Sequence, residues 1–439
     1  MEQYRFHFIG IGGISMSALA YYLAKKGYYV QGSDSQESTI VKNLEKAGIK
    51  VFLGHRKENV LGVDVVVYNC AINEDNDELK FARKNLLKVV SRGELLGEIA
   101  KQYECVVAIA GSHGKTSTTL MMYNCLHAFS QSPTLHIGGI LHNNKFGLIF
   151  GEKKYFITEA CEYHDSFLHL NPQVGIVLNL EPEHLDYFKS FDCEQKSYQK
   201  FAVNSKIAII NAQCEIYGDN IYSFGTKQGE IVAKNIKQSG GKYSYDCYYK
   251  NKFLLHIDLG AYGEHNVTNS LAVVLACLKL GVSLTAIKIG LGRELNILRR
   301  FEKIQQAPNL IVHDYAHHPS EIQKTIQTFS LCAKKPILIV FQPHTYSRTK
   351  SFFDDFIKCF SSQNKVFFVK TYSAREKYDK TASAFALYKK VREKNKNCKY
   401  FASLKRLKKE IIKKENQSFD ILILGAGDID KLCHVDFPK

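Results

Sequence analysis

The chain has 439 residues, with 59 Lys and Arg against 43 Asp and Glu and a formal net charge of +16. That length exceeds what one hydrophobic core organises and predicts about two to four domains. No apolar run approaches a membrane span, and no secretory pattern opens the chain, so a cytoplasmic protein without a membrane partner is expected. The 12 cysteines form no CxxC pair and no metal-finger spacing. Cys105, Cys125 and Cys277 lie in apolar runs, where a reduced thiol behaves as a small hydrophobe. Much of the positive excess lies in residues 389–414, which read as a Lys/Arg-rich helical stretch with a solvated face. No aromatic stacking motif or helix-turn-helix pattern accompanies it, so nucleic acid is not an expected partner.

Residues 4–9 read as a strand, Gly10-Ile11-Gly12-Gly13 as a turn, 14–26 as a helix and 28–32 as a second strand followed by Asp34. This is a βαβ nucleotide-binding pattern, with the acid placed where a ribose hydroxyl would be read. Ser15 stands where the dinucleotide fingerprint needs its third glycine. The pattern therefore argues less for a dinucleotide than for some phosphate-bearing ligand at a helix N-terminus. Further buried strands are predicted at 63–68 and 86–91, and a helix from Arg92 to about residue 103, so a first domain closes near residue 92.

Residues 105–119, CVVAIAGSHGKTSTT, hold the strongest local motif. A short β-branched run is followed by Gly111-Ser112-His113-Gly114, and Lys115-Thr116-Ser117 then opens a helix. Backbone N–H groups and the positive end of the helix dipole would face an anion. Lys115 would add charge on the outer phosphates, and the Thr116 hydroxyl is a candidate Mg²⁺ ligand. The usual spacing needs glycine at 109, where this chain has Ile109. The alternative, a glycine-rich turn with a chance Gly-Lys-Thr, stays open on these residues alone.

Strands predicted at 155–158 and 175–180 end in Glu159-Ala160-Cys161-Glu162 and Asn179-Leu180-Glu181-Pro182-Glu183-His184. Polar groups at the carboxyl ends of parallel strands lie where open α/β sheets bind ligands. Glu159 with Thr116 would suit Mg²⁺, and His184 is a candidate for a second ion. Alternation over 230–260 with a Gly240-Gly241 turn predicts an antiparallel ribbon. Asn266 and Asn269 face one side of the first turn of a long apolar helix, either as capping chemistry or to read a purine base. A third α/β unit begins near residue 298, with strands at 310–313, 336–341, 366–369 and 421–424. Two of them run into DYAHHP (314–319) and QPHTYSR (342–348).

Taken together, the chain resembles the Mur ligases. The segments that carry the likeness are GIGGISMSALA (10–20), GSHGKTSTT (111–119), EACEYHDSFLHL (159–170), NLEPEHLD (179–186), HDYAHHPSE (313–321) and FQPHTYSRTK (341–350), with GEHNVTNSLA (263–272) and RRF (299–301). The resemblance implies three domains: a Rossmann-like N-terminal domain (1–92) that binds a UDP-sugar; a central P-loop ATPase-like domain (93–298), a mostly parallel sheet with a small antiparallel ribbon; and a Rossmann-like C-terminal α/β domain (299–439) for the amino acid. It implies ATP-dependent joining of L-alanine to the lactyl carboxylate of UDP-N-acetylmuramate through an acyl phosphate, with Mg²⁺, or Mn²⁺ in its place. A sister activity would attach a recycled tripeptide instead. Rivals from other classes are an NAD-dependent oxidoreductase and a basic nucleic-acid-binding NTPase.

By motif, the resemblance makes Lys115, Glu159 and His184 catalytic, with Thr116, Glu159 and His184 holding metal. Gly111 to Ser117, Asn266, Asn269, Arg300 and Asp314 would bind ATP. Gly10, Gly12, Gly13, Ser15, Asp34 and Arg92 would line the UDP-sugar site. Tyr315, His317 and Arg348 would hold the amino acid, Arg348 as carboxylate clamp. Thr345 stands where many relatives carry Arg, and Cys161 where an acid is common.

Overall fold

The computed structural model describes residues 4–142, 144–363, 365–374 and 376–433. A parallel five-stranded sheet comes first, built from β1 (Arg5–Ile9), β2 (Tyr29–Asp34), β3 (Lys50–Leu53), β4 (Val65–Tyr68) and β5 (Lys88–Ser91). Its order is β3-β2-β1-β4-β5. The order reverses on either side of β1, so the crevice where such sheets take ligands opens at the carboxyl end of β1, beside Gly10.

The second sheet holds β6 (Cys105–Ala110), β7 (Thr134–His136), β8 (Leu148–Ile149), β9 (Tyr155–Glu159), β10 (Val174–Val177), β11 (Ile207–Asn211), β12 (Ile221–Gly225), β13 (Ile231–Ser239), β14 (Lys242–Tyr249) and β15 (Lys252–Tyr262). Its order is β15-β14-β13-β12-β11-β10-β6-β9-β7-β8. β6 lies parallel between β10 and β9, with Val106 to Ala110 buried. The apolar run that precedes the phosphate loop thus lies deep inside the sheet and gives the loop a rigid base. The third sheet holds β16 (Glu302–Gln305), β17 (Ile311–Asp314), β18 (Ile337–Phe341), β19 (Lys365–Val369), β20 (Cys398–Phe401) and β21 (Asp420–Leu424). Its order is β16-β17-β21-β18-β19-β20, parallel apart from β16.

These sheets fall into two compact units. One comprises the first sheet and most of the second, with the helices up to Leu295; the other comprises the third sheet with residues 237–243 and 261–265. In the first unit one apolar core runs from Phe8, Leu19 and Tyr22 to Tyr103, Phe156 and Phe167, and another gathers Ile9, Val66 and Leu79. In the second unit, separate cores cover the two faces of the third sheet, around Phe341, Phe360 and Phe368 and around Val340, Phe367 and Leu407.

Residues 389–414 are not one helix. The Ala384–Lys394 helix, β20 and the Leu404–Ile411 helix share them. The alternation of Cys398, Lys399, Tyr400 and Phe401 is a strand pattern, but at four residues it is lost in a lysine-rich context. β10 ends at Val177, so Leu178 to Leu180 already belong to the loop. The ribbon has three strands, with Gly240 and Gly241 both at positive φ in its first turn. No disulfide links the cysteines, and Cys125 and Cys277 are buried as expected. Among the described residues no helix is long and apolar enough to cross a membrane.

Candidate functional site

The phosphate loop leaves β6 at Ala110 and enters the Lys115–Ala128 helix through Gly114. Gly114 has φ +86°, and a Cβ there would come within 2.7 Å of the Asn269 amide nitrogen. Glycine is needed both for the left-handed turn and for that approach. Asn269 and Asn266 are buried, and Asn269 Nδ2 donates to Asn266 Oδ1 at 3.3 Å. The side chain of Asn179 holds the loop from the neighbouring strand end. Its Oδ1 accepts from His113 N–H at 2.8 Å and its Nδ2 donates to the His113 carbonyl at 3.0 Å. Ser112 Oγ accepts from Glu181 N–H at 2.9 Å. The motif NLEPEH thus acts partly as a brace for the loop. Thr116 is buried and Ser117 half-buried.

Lys115 Nζ lies 3.0 Å from Glu162 Oε2 and 2.5 Å from the Gly111 carbonyl. His184 Nε2 lies 3.6 Å from Glu162 Oε1. Ligand atoms of Glu162, Glu183 and His184 all lie within 4.8 Å of one another. Burial would strip charge from these groups, but their mutual attraction outweighs it. Burial raises the Glu162 pKa, yet Lys115 and His184 bring it down to about 2. Burial lowers the Lys115 and His184 values, yet Glu162 raises both above their ordinary ranges. Glu183 is pushed up by burial, which outweighs the pull of His113, Lys115 and His184.

The carboxylate facing Lys115 and His184 is Glu162; the motif reading makes Glu159 the Mg²⁺ ligand beside Thr116 and gives Glu162 no role. Glu159 closes β9, and its Oε1 accepts from Gly138 N–H at 2.6 Å. The sequence offers both acids in EACE; the strand end favours the first, and only the turn after β9 brings the second to the lysine. That turn is tight, with His164 and Asp165 both in left-handed conformation. Asp165 ties it down by accepting from Tyr187 Oη at 2.7 Å and from the Ser197 hydroxyl. Glu194 was also missed. It is fully buried, its Oε2 accepts from Glu183 N–H at 3.2 Å, and burial pushes its pKa up to about 7.

In the first sheet Gly10 and Ile11 N–H both donate to the Ser33 carbonyl, at 2.8 and 3.0 Å. Asp34 Oδ2 accepts from Gly12 N–H at 2.9 Å and Oδ1 from Gln36 N–H at 3.2 Å. Asp34 thus also braces the glycine turn. Gly13 caps the Ile14–Lys25 helix, and Arg92 Nη1 lies 3.5 Å from Ser15 Oγ.

In the second unit Asp314 ends β17, with Oδ2 accepting from Phe301 N–H at 2.7 Å and Oδ1 from Ala316 N–H at 2.8 Å. Burial raises its pKa, against the pull of Arg300. The Arg300 and Arg299 guanidiniums lie 5.1 and 4.9 Å from the centre of the Tyr315 ring. His317 Nδ1 donates to the Tyr315 carbonyl at 3.0 Å, and its ring faces that of His344 at 5.8 Å. Arg348 Nη1 donates to His344 Nδ1 at 3.1 Å. Burial and Arg348 push both histidines down to about 4. The structure thus brings His317 and Arg348 together around His344, a residue of the FQPHTYSRTK motif to which the sequence reading gave no role. Thr345, at φ +68°, caps the Tyr346–Ser351 helix that carries Arg348.

Comparison with known proteins gives the family. Three family models match in order: Mur ligase family, catalytic domain (residues 5–104); Mur ligase middle domain (109–277); and Mur ligase, glutamate ligase domain (299–427). The chain belongs to the Mur ligase family. It is 37% identical to UDP-N-acetylmuramate–L-alanine ligase of Caldicellulosiruptor saccharolyticus, over 99% of this chain and 98% of that one. It is 38% identical to the protein of the same name from Clostridium acetobutylicum, with the same coverage. Among solved structures, UDP-N-acetylmuramate-alanine ligase of Thermotoga maritima superposes with a TM-score of 0.86 at 27% identity, covering 98% of this chain and 97% of that one. A murein peptide ligase of Psychrobacter arcticus, at 21% identity and a TM-score of 0.70, shares the fold.

Proposed function

We infer that this chain is an ATP-dependent ligase that joins L-alanine to UDP-N-acetylmuramate in peptidoglycan precursor synthesis. Full-length likeness to proteins of that name supports the substrates. The observation that carries the chemistry is the phosphate loop whose Lys115 is paired with buried Glu162 beside His184. We further propose that residues 1–92 hold the UDP-sugar, 93–298 hold ATP and 299–439 hold the amino acid.

The lactyl carboxylate would attack the γ-phosphorus of ATP, releasing ADP and leaving an acyl phosphate. The amine of L-alanine would then attack the acyl carbon; the C–O bond to phosphate breaks, the amine loses a proton, and an amide and inorganic phosphate result. Little covalent chemistry falls to the protein, so positioning and charge neutralisation dominate. Lys115, kept cationic by Glu162, would trade that partner for the β/γ-phosphate oxygens. The oxygen-rich Glu162–Glu183–His184 group fits a divalent cation. Thr116, Glu162 and His184 are the proposed Mg²⁺ ligands, with Glu159 left on Gly138. The ion would supply charge neutralisation on the transferring phosphoryl group. Asn266 and Asn269 in the first unit, and Arg300 and Asp314 in the second, are each proposed as ATP-binding residues. Tyr315, His317 and Arg348 would hold the amino acid. With both histidines of that cluster neutral, Arg348 is its cation for the alanine carboxylate.

Phosphate release measured with UDP-N-acetylmuramate, ATP and Mg²⁺ tests the reading, with L-alanine, glycine, L-serine and tripeptide as acceptors. Turnover should be fastest with L-alanine. Amino-acid-independent release, or none with any acceptor, would overturn it; preference for tripeptide would assign the sister activity.

A further inference from the structure

The Ile14–Lys25 helix, which starts at the glycine turn, is anchored to the second sheet of its own unit. Tyr21 stacks on Phe146 with ring centroids 4.4 Å apart, and Tyr22 stacks on Phe150 at 5.5 Å. The Tyr22 hydroxyl lies 3.2 Å from that of Tyr103, which donates to Thr134 Oγ1 on β7 at 3.2 Å. One more contact joins the start of this helix to β7: Ser15 Oγ lies 3.0 Å from His136 Nε2.

His136 is only 2% exposed. It pairs in register with Thr158 of β9, and its Nδ1 lies 2.9 Å from Thr158 Oγ1. The Thr158 hydroxyl donates its proton to the Glu159 carbonyl at 3.0 Å. A hydroxyl has one proton to give, so Thr158 accepts from His136. The imidazole proton is therefore on Nδ1, and Nε2 presents a lone pair. Burial and the charge of Arg92 push the His136 pKa down to about 3, which keeps the ring neutral. Ser15 must then donate to Nε2, and its oxygen keeps only lone pairs. Arg92 Nη1 faces that oxygen at 3.5 Å. Every donor points the same way, from Arg92 through Ser15, His136 and Thr158 to the Glu159 carbonyl.

A serine at a helix N-terminus could donate to a diphosphate oxygen; this one has no proton left for that. We propose that His136 is a positioning residue of the sugar-nucleotide site: by taking the Ser15 proton it makes Ser15 an acceptor for Arg92 and aims that guanidinium at the sugar nucleotide. The inference rests on the assignment of the glycine turn and Arg92 to that ligand. His136 touches no substrate and acts only through Ser15.

Titration calorimetry of the full chain with UDP-N-acetylmuramate, alongside the KM for ATP, tests this. His136→Leu should raise the sugar-nucleotide Kd about five- to tenfold, the size of one ordinary lost hydrogen bond, and move the ATP KM less than about twofold. Ser15→Ala should reproduce that loss, and the double variant should match the single ones because both changes cut one chain of bonds. His136→Gln, which offers an amide oxygen to Ser15, should recover part of the affinity. Unchanged Kd in either single variant, multiplying effects in the double, or an equal rise in the ATP KM overturns the proposal. Should the His136→Leu chain fail to fold, His136→Gln decides with Ser15→Ala: a loss in His136→Gln that disappears in the Ser15→Ala background supports the proposal, and losses that multiply overturn it. A wild-type chain that does not bind the sugar nucleotide removes the functional reading and this inference together; wild-type turnover with an unchanged His136→Leu Kd removes this inference only.

Discussion

Two clusters in this chain use histidine in opposite ways. Around Lys115, His184 sits against a buried carboxylate and is held toward its cation. Around Arg348, His317 and His344 are pushed down to about 4 and stay neutral. The residue type is the same and burial acts on all three in the same direction. The balance of neighbours decides: Glu162 outweighs burial at His184, whereas Arg348 adds to burial at His317 and His344 and outdoes the Glu321 carboxylate 3.5 Å from His317. The first cluster is therefore balanced between charges of both signs and suited to a phosphoryl group with its cation. The second presents the Arg348 guanidinium beside neutral histidines, a donor fork suited to a single carboxylate.

The largest expected effect tests the balanced cluster at its centre. Lys115→Ala should lower kcat/KM by roughly three orders of magnitude or more in the phosphate-release assay, since it removes preorganised charge at the transferring group. Binding of UDP-N-acetylmuramate should persist within about threefold; joint loss would break the assignment of the two ligands to separate sheets. Next, Glu162→Gln should cost about a hundredfold or more in kcat, and Glu159→Gln about tenfold or less, because the Gln amide oxygen still accepts from Gly138 N–H. The reverse order would return the metal site to Glu159. In the other cluster, Arg348→Lys should raise the KM for L-alanine about ten- to fiftyfold by losing the planar fork, with the KM for ATP nearly unmoved.

The smallest effect compares the clusters directly by pH. Ring NMR titration should show His184 titrating above its ordinary value and His317 and His344 near 4. The stability consequences have opposite signs. For His317 and His344 the unfolded chain binds protons first as pH falls. Stability contributed by their neutral forms is therefore full above about 6.5 and declines toward 4. For His184 the folded state binds the proton more tightly, so its contribution is full below about 6.5 and fades as pH rises through the folded value. A His344→Asn variant whose melting midpoint keeps the full wild-type slope between those limits would contradict the neutral assignment.

The β6 strand, the shortened loop and the helix after it were legible because each has a local cause: a β-branched run, glycines at positive φ, and a lysine at the helix start. The same holds for the β1 turn. Strand β20 was not legible, because four residues carry little period and lysines surround them. His136 gave no local signal at all: a histidine in a three-residue strand gains meaning only from Ser15, 121 positions earlier in the chain.

Sequence by itself determined the family, the order of the three sheets' motifs and the lysine that opens the helix after the phosphate loop, since these depend on residues close together along the chain or on ordered strings. Tertiary structure alone decided which carboxylate meets that lysine, because Glu159 and Glu162 differ by one turn of backbone whose direction is set by Asp165 bonding to Tyr187 and Ser197. It also decided the charge of each histidine. That charge depends on which group lies within a few ångströms in a buried place, where a neighbour's field is strong and water is not there to screen it.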